Sequence, residues 1–361
     1  MARPNQARLN LAALRNNLAL AKTLAPGSRV MAVVKANAYG HGALVIAREL
    51  APLTDALAVA SIEEAVALRD GGVKTPVLLL QGVFEAKEIA FAARHDFWVM
   101  VNSEQQLHWL EEATVEQPVT CWLKVDTGMH RLGILPEQAV SSYQRLRACP
   151  QVRQDIVLST HFACADDMQS NLTARQLDQF LRSCEGLGGE RSAANSAGVL
   201  AWPAAHCDWI RPGYMLYGNS PMAQEHPNAQ GLQPVMTLVS SVTALRQLGP
   251  GETVGYGATW QAQRPTRIAT VTIGYGDGYP RLAPTGTPVL VNGQRATLAG
   301  RVSMDMITVD VTDLPAVSIG DEVILWGEGL PLSEVASHAS TIGYELTTRM
   351  PARTPRIVVV N

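Results

Sequence analysis

From about residue 29 to residue 218, short apolar runs rich in β-branched residues alternate with stretches of helical period. Such runs read as strands buried on both faces, and the alternation reads as successive βα units. The candidate strands are Arg29–Val34, Ala56–Ala60, Val77–Gln81, Phe97–Val101, Thr120–Val125, Asp155–Thr160, Arg191–Ala194 and Asp208–Arg211. Ser61–Glu64, Ser103–Gln106 and Thr173–Gln176 each match a capping box. In that motif a hydroxyl and a third-residue carboxylate or amide satisfy the orphan amides of a helix start. Gly71-Gly72 marks the end of the second helix. Eight βα units in roughly 200 residues is the arithmetic of a (β/α)8 barrel. A doubly wound open sheet is the competing architecture. The last two runs are short and weakly marked.

After about residue 230 the texture changes. Val235–Leu245, Arg267–Tyr275, Pro288–Leu290, Met306–Val311 and Glu322–Trp326 are strand-like, divided by turns such as Gly249-Pro250-Gly251 and Val291-Asn292-Gly293. Only Leu332–His338 looks helical. The pattern predicts a mostly-β second domain. The expected division is a barrel over 9–228 and a β domain over 229–361, joined by the N-terminal segment 1–8. No internal repeat or low-complexity tract stands out.

At 361 residues the chain exceeds one ordinary core, which agrees with two domains. With 47% hydrophobic and 17% charged residues it reads as soluble and globular, and a net charge of −3 argues against nucleic-acid or membrane-surface partners. Arg8, Asn10, Arg15, Asn16, Asn17 and Lys22 interrupt any signal-peptide core. No stretch approaches the roughly 20 apolar residues of a membrane span. Cys121, Cys149, Cys164, Cys184 and Cys207 are scattered, with no C-x-x-C pair. That fits reduced thiols in a cytoplasm better than disulfides or a zinc site, so no metal is expected.

The first barrel run ends in Val33-Val34-Lys35-Ala36-Asn37-Ala38-Tyr39-Gly40-His41-Gly42. Gly40 and Gly42 read as the turn into a helix. Lys35 therefore stands at the C-terminal end of an interior strand, where α/β folds place their chemistry. Burial there disfavours the ammonium form, and a neutral amine can form a Schiff base with a carbonyl. A lone lysine more often snorkels into water. Other strand ends hold Lys124 to Gly133, Thr160-His161-Phe162-Ala163, Asn195-Ser196-Ala197-Gly198 and Arg211-Pro212-Gly213-Tyr214. Singly, His161 reads as a hydrogen-bonded core histidine, Arg131 and Arg211 as ion-pair partners, and Asn195-Ser196 as a helix cap. Together, an imine-forming lysine and small residues exposing backbone amides imply pyridoxal 5′-phosphate.

The lysine decapeptide resembles the cofactor-lysine signature of alanine racemases. Lys124–Gly133, His161–Asp166, Arg211-Pro212-Gly213, Val254–Gly257, Gly274–Gly278, Gly300–Asp305 and Gly343-Tyr344-Glu345 match in order, so the resemblance runs from about residue 9 to 357. It implies a barrel plus a β domain, pyridoxal phosphate, L- and D-alanine as substrates, and a homodimer whose β domains complete each other's sites. Carried over by position, Lys35 would hold the cofactor. Tyr39, Asn195, Ser196, Gly213, Tyr214 and Tyr344 would surround it, mostly at the phosphate. His161 would lie beside the ring and Arg211 would face its nitrogen. Arg131 would serve both cofactor and substrate carboxylate. Met304, Tyr275 and Asp305 would meet substrate, with Met304 and Tyr256 coming from the partner. Tyr256 would be the second catalytic base, opposite Lys35. Lys124 matches a lysine often carbamylated in this family. Ser303 departs from relatives that carry cysteine, with little consequence expected.

The implied activity is interconversion of L- and D-alanine by two bases, supplying D-alanine for peptidoglycan or serving alanine catabolism. Arg211 argues against a related amino-acid decarboxylase, which would profit from an acid at the ring nitrogen. A non-catalytic carrier of the cofactor, or a racemase preferring serine, completes the alternatives.

Overall fold

Along the chain, strand β1 (Gln6–Asn10) is followed by eight strands that close into one parallel barrel. These are β2 (Arg29–Val33), β3 (Ala56–Val59), β4 (Val77–Leu79), β5 (Phe97–Val101), β6 (Cys121–Lys124), β7 (Val157–Ser159), β8 (Arg191–Ser192) and β9 (Trp209–Ile210). Each pairs with the next, and β2 pairs with β9, so the open-sheet alternative is excluded. The structure, a computed structural model, describes residues 3–359. It groups Arg15–Ala38 and Gly42–Leu232 in a barrel unit, and the described residues through Leu14, Tyr39–His41 and those from Gln233 onward in a β unit.

In the barrel unit, β3, β4 and β6 are buried at every position, which is why their sequences run apolar without alternation. Near the N-terminal ends, Trp98, Trp122 and Trp209 gather with ring centroids 5.5–6.4 Å apart. The Arg29 guanidinium lies 4.2 Å from the Trp209 ring, and Trp209 Nε1 donates to Glu190. This aromatic plug fills one end of the barrel and leaves the other for chemistry.

The helix starts differ from expectation. Ser103 caps Glu104–Glu112 by accepting from the Gln106 amide, but no side-chain cap bond is made by Ser61. Thr173 lies inside Leu172–Ser183, whose cap position is Asn171. Glu64, Gln106 and Gln176 do not reach back to their cap residues; they bond backbone elsewhere. Helix Ile62–Asp70 does end at Gly71, with Gly72 at φ 85°.

The β unit contains β10 (Met236–Leu248), β11 (Thr253–Val254), β12 (Trp260–Gln261), β13 (Thr266–Val271), β14 (Pro288–Val291), β15 (Gln294–Leu298), β16 (Ile307–Asp310), β17 (Glu322–Trp326) and β18 (Arg356–Val359). The long β10 pairs β1 and then β13 along one edge and β17 along the other, shifting register between Val242 and Ala244. The order β13-β16-β15-β14-β17-β10 thereby closes on itself through the β13–β10 pairing. Strand β1 joins β10 antiparallel and β18 parallel. Its inward residues Ala7 and Leu9 enter a core that includes Leu238, Val271, Val309 and Trp326.

The expected border at residue 9 therefore moves, because Leu9 is a core residue of the β sheet; on the other side, residues 229–232 belong with the barrel. Residues 1, 2, 360 and 361 of the expected β domain lie outside the described residues. Strands β1, β11, β12, β15 and β18 go beyond the runs expected, and Gly343–Thr348 is a second helix besides Leu332–His338. The run from Arg267 stops at Val271, because Gly274–Gly278 folds into a 3₁₀ turn closed by Gly278 at φ 101°. Among the described residues no helix is long and apolar enough to cross a membrane.

Candidate active site

Lys35 follows β2 by two residues, and the chain beyond it turns the wrong way for L-residues. Ala36, Asn37 and Ala38 sit at φ 52–54°, ψ 45–53°, in the left-handed region. Each such residue other than glycine costs roughly 1–2 kcal/mol, with asparagine tolerating it best. The turn was expected at Gly40 and Gly42; it begins earlier, and Gly42 at φ 99° forms the cap of Ala43–Leu50. Local bonds hold it. Asn37 Oδ1 accepts from Ala43 (2.7 Å), its carbonyl accepts from Gly42 (3.0 Å), and Glu64 Oε1 accepts from Ala36 (2.6 Å). The Lys35 ammonium is pulled below its ordinary pKa by burial and then by the positive charge of Arg131, with Glu64 opposing.

Three further cations share this rim. Lys124, the last residue of β6, is 8% exposed. Burial, then Arg211 and Arg131, brings its pKa down to about 8, against the pull of Asp126. Arg211, after β9, is 5% exposed, and burial brings it down to about 10, so it remains a cation near neutrality. Its guanidinium donates to Ser192 Oγ (2.5 Å) and to the carbonyls of Thr160 (2.6 Å) and Ala193 (3.3 Å), and meets His161 Nδ1 at 3.5 Å. Burial, then Arg211, Lys124, Arg131 and Lys35, hold His161 well below the ordinary imidazole pKa. It is neutral at physiological pH, and beside an all-donor guanidinium its Nδ1 faces Arg211 as an acceptor. Arg131 itself is exposed on the loop after β6.

At the ends of β8 and β9, Asn195 caps Ser196–Ala201 by accepting from the Gly198 amide (3.0 Å). Buried Ser196 accepts from the amides of Gly213 (2.9 Å) and Met215 (3.3 Å). Two backbone donors thus converge on one hydroxyl oxygen. Tyr214, between them in sequence, is buried, and burial pushes its phenol up.

The other sequence candidates fall in the β unit. Tyr39 and Tyr344 lie with ring centroids 6.1 Å apart, and burial pushes Tyr39 up to about 12. Gly40 admits no side chain there, since a Cβ would lie 1.7 Å from the Thr347 carbonyl oxygen. Tyr256, Tyr275 and Met304 project from neighbouring turns and are 70%, 40% and 51% exposed. The amides of Tyr275 and Gly276 donate to the carbonyls of Ser303 (3.0 Å) and Met304 (2.9 Å), while the Gly255–Gly257 turn lies against Arg301. Asp305 is held by Arg353 (2.6 Å), which also reaches the fully buried Asp277 (2.9 Å). Arg3, Asn5 and the Gly274 amide complete that carboxylate. Sequence reading missed Asp277 and Arg353 as supports, although Asp277 stood inside a quoted motif. It also missed Thr160 and Ser192, because their partners come from other strands.

Comparison with known proteins gives full-length matches. The family model for the alanine racemase N-terminal domain matches residues 9–221, and that for the C-terminal domain matches residues 235–358. The biosynthetic alanine racemase of Escherichia coli O6:H1 is 52% identical over 346 residues, 96% of each chain. The crystal structure of the biosynthetic alanine racemase from Pseudomonas aeruginosa superposes with TM-score 0.95 at 49% identity, covering 99% of this chain and 100% of that one. The alanine racemase from Acinetobacter baumannii gives TM-score 0.93 at 38% identity, with 99% and 100% coverage.

Proposed function

This chain belongs to the alanine racemase family, and from that membership we propose that it interconverts L- and D-alanine with Lys35 and Tyr256 as opposed bases. The family depends on pyridoxal 5′-phosphate, which when bound acts as the electron sink that acidifies an amino acid's α-carbon. The donor set fits that group. Burial lowers the pKa of the Lys35 amine, and Ser196, whose Oγ accepts from the Gly213 and Met215 amides, keeps its hydroxyl hydrogen to donate to a phosphate oxygen. Lys35 would hold the cofactor covalently. Tyr39, Ser196, Gly213, Tyr214 and Tyr344 would bind its phosphate end, with Asn195 fixing the helix that presents Ser196.

Inversion at a carbon needs a proton taken from one face and one delivered to the other. Lys35 Nζ serves one face and the Tyr256 hydroxyl the other. A tyrosine needs cationic neighbours to act as a base near neutrality, because its ordinary pKa is about 10. The Arg211–His161 contact offers the start of such a chain, with neutral His161 able to relay a hydrogen bond. Arg211 has no acceptor to offer and stays charged, so it would disfavour a proton on the cofactor's ring nitrogen. That would limit the cofactor's electron-withdrawing power and hold back transamination. Arg131 and the Met304 backbone would hold the substrate carboxylate, with Tyr275 and Asp305 lining its approach. Lys124, with a pKa of about 8, has a neutral fraction at physiological pH and is suited to carbamylation, which would turn a cation beside Arg211 and Arg131 into an anion.

The observation that carries this reading is the buried cationic rim around Lys35 at the open end of the barrel. The exposure of Tyr256 and Met304 supports their use by a second copy of the chain in a homodimer. The biosynthetic relatives support a cytoplasmic role in supplying D-alanine for peptidoglycan. The test incubates purified protein with L- or D-alanine, separately, in deuterated water. Loss of optical rotation with α-deuterium gain and no carbon dioxide release is expected; carbon dioxide release from any amino acid tried would favour a decarboxylase instead.

A further inference from the structure

The three residues read as capping-box partners share a different use. Glu64 Oε2 accepts from Ala60, at the exit of its own strand β3 (2.7 Å), while Oε1 accepts from Ala36, past the preceding strand β2 (2.6 Å). Gln106 Oε1 accepts from Asn102, past β5 (2.7 Å), while Nε2 donates to the carbonyls of Gln81 (2.9 Å) and Val83 (2.8 Å), past β4. Gln176 Oε1 accepts from Ala163, past β7 (2.9 Å). Its Nε2 donates to the His161 carbonyl (3.2 Å) and reaches Thr127 Oγ1, past β6, at 3.5 Å. Each side chain thus ties the exit of its own strand to the exit of the strand before it. The ties fall at alternate gaps around the ring: β2 to β3, β4 to β5 and β6 to β7. At the remaining pair, Ser196 past β8 holds the amides of Gly213 and Met215 past β9.

Two of these ties bear on reactive groups. The one at Ala36 restrains the first residue of the strained left-handed turn beside Lys35. The one at Gln176, fully buried, fixes the backbone of His161 and meets Thr127, whose hydroxyl lies 2.7 Å from Thr160 Oγ1. Thr160 in turn offers its carbonyl to Arg211. The Gln106 tie has the same form but joins loops without a candidate site residue; it approaches Arg131 only through Asn102, whose carbonyl accepts from Gly133 (3.1 Å).

We propose that Glu64 and Gln176 are positioning residues, which staple the Lys35 turn and the His161 loop to their neighbours on the rim, and that Gln106 is the same staple without a catalytic load. A rim group displaced by about 1 Å can lose up to 100-fold in rate, whereas a loop bearing no such group loses only stability.

The test replaces each residue by methionine, which keeps length and removes both donor and acceptor. All three variants should lose similar Tm. In each, hydrogen exchange at its own stapled amides (Ala36 and Ala60, Asn102, or Ala163) should speed by at least about tenfold. In the holoenzyme, Glu64→Met and Gln176→Met should lower kcat about tenfold with KM changed less than about threefold, while Gln106→Met stays within about twofold. Glu64→Gln keeps one of two acceptors and Gln176→Glu keeps the acceptor for Ala163 while losing the donor to His161; each should recover part of kcat and serves if the methionine variants do not fold. Equal kcat losses for all three at matched Tm loss overturn the positioning role, and so does unchanged exchange at the stapled amides. The kinetic arm rests on the racemase reading and the exchange arm does not. Wild-type protein inactive on alanine, with exchange changed as expected, would therefore count against that reading and leave the staples standing.

Discussion

In the barrel unit, Lys124 and Arg211 are 8% and 5% exposed; in the β unit, Tyr256 and Met304 are 70% and 51% exposed. The barrel groups already perturb one another. Arg131 acts on Lys35, and Arg211 acts on both Lys124 and His161, while the carboxylates opposing these cations are Glu64 and Asp126. Such an excess of buried positive charge is costly unless an anion answers it. A phosphate and a substrate carboxylate are suitable answers. Of the β-unit groups, Met304 stands beside a turn held by Asp277 and Arg353, and Tyr256 stands on a turn that lies against Arg301; both side chains are exposed. One region is a preformed electrostatic cradle, and the other is a rigid presentation of exposed groups. The proposed shared site between two copies would use both.

The harshest way to break this contrast is at Lys35. Lys35→Ala should lower racemisation by at least about 10⁴-fold, because on the proposed reading it removes both the covalent anchor and one base. Borohydride treatment of wild-type protein should fix the cofactor on Lys35; recovery on another lysine would remove this residue from the centre of the cradle.

Mixing subunits tests whether the exposed groups work across an interface. Lys35→Ala and Tyr256→Phe homodimers should each be nearly inactive. A heterodimer would place both lesions in one site and restore up to about half of wild-type activity, since both bases must meet in one site. With subunit exchange verified by mass, a continued lack of activity would mean that the two residues serve the same chain's site.

Arg211 sharpens the electrostatic half. Arg211→Glu should slow racemisation by roughly 10- to 100-fold and raise the share of turnovers ending in pyruvate, as charge at the ring nitrogen controls the cofactor's electronics. A slower enzyme with no rise in pyruvate would leave Arg211 as a structural cation only.

A further effect is expected on stability. The folded pKa of unmodified Lys124 is about 8, below its ordinary 10.5, so the unfolded chain binds more protons between those values. Stability should therefore rise with pH from about 8 to 10.5, and the penalty is fully present below 8. Lys124→Met should accordingly stabilise by up to about 3 kcal/mol at pH 7, with the gain shrinking at pH 10. Urea unfolding at both pH values measures this. A gain that does not vary with pH would mean that Lys124 carries no titrating ammonium, as a carbamate would ensure.

The sequence by itself determined the barrel and the position of its chemistry. A strand buried on both faces runs largely apolar, so the first six runs are plainly marked and the last two only weakly, and the polar residues that end them stand out. Lys35, Lys124, His161 and Arg211 were all found this way, and order along the chain sufficed to relate them to a family. Tertiary structure decided what depends on partners far apart in sequence. Strand β1 joins a sheet whose other members begin at residue 236, which no local period reveals. The left-handed turn after Lys35 holds four non-glycine residues, Ala36 to Tyr39, at positive φ, which their side chains disfavour, and bonds such as that to Glu64 sustain it. Ser61 and Ser103 stand at the cap positions expected of them, while the helix that carries Gln176 is capped at Asn171 instead of Thr173. The carboxylate and amide groups of Glu64, Gln106 and Gln176 instead bond backbone groups at neighbouring strand exits, past the last residues that the barrel ladders pair.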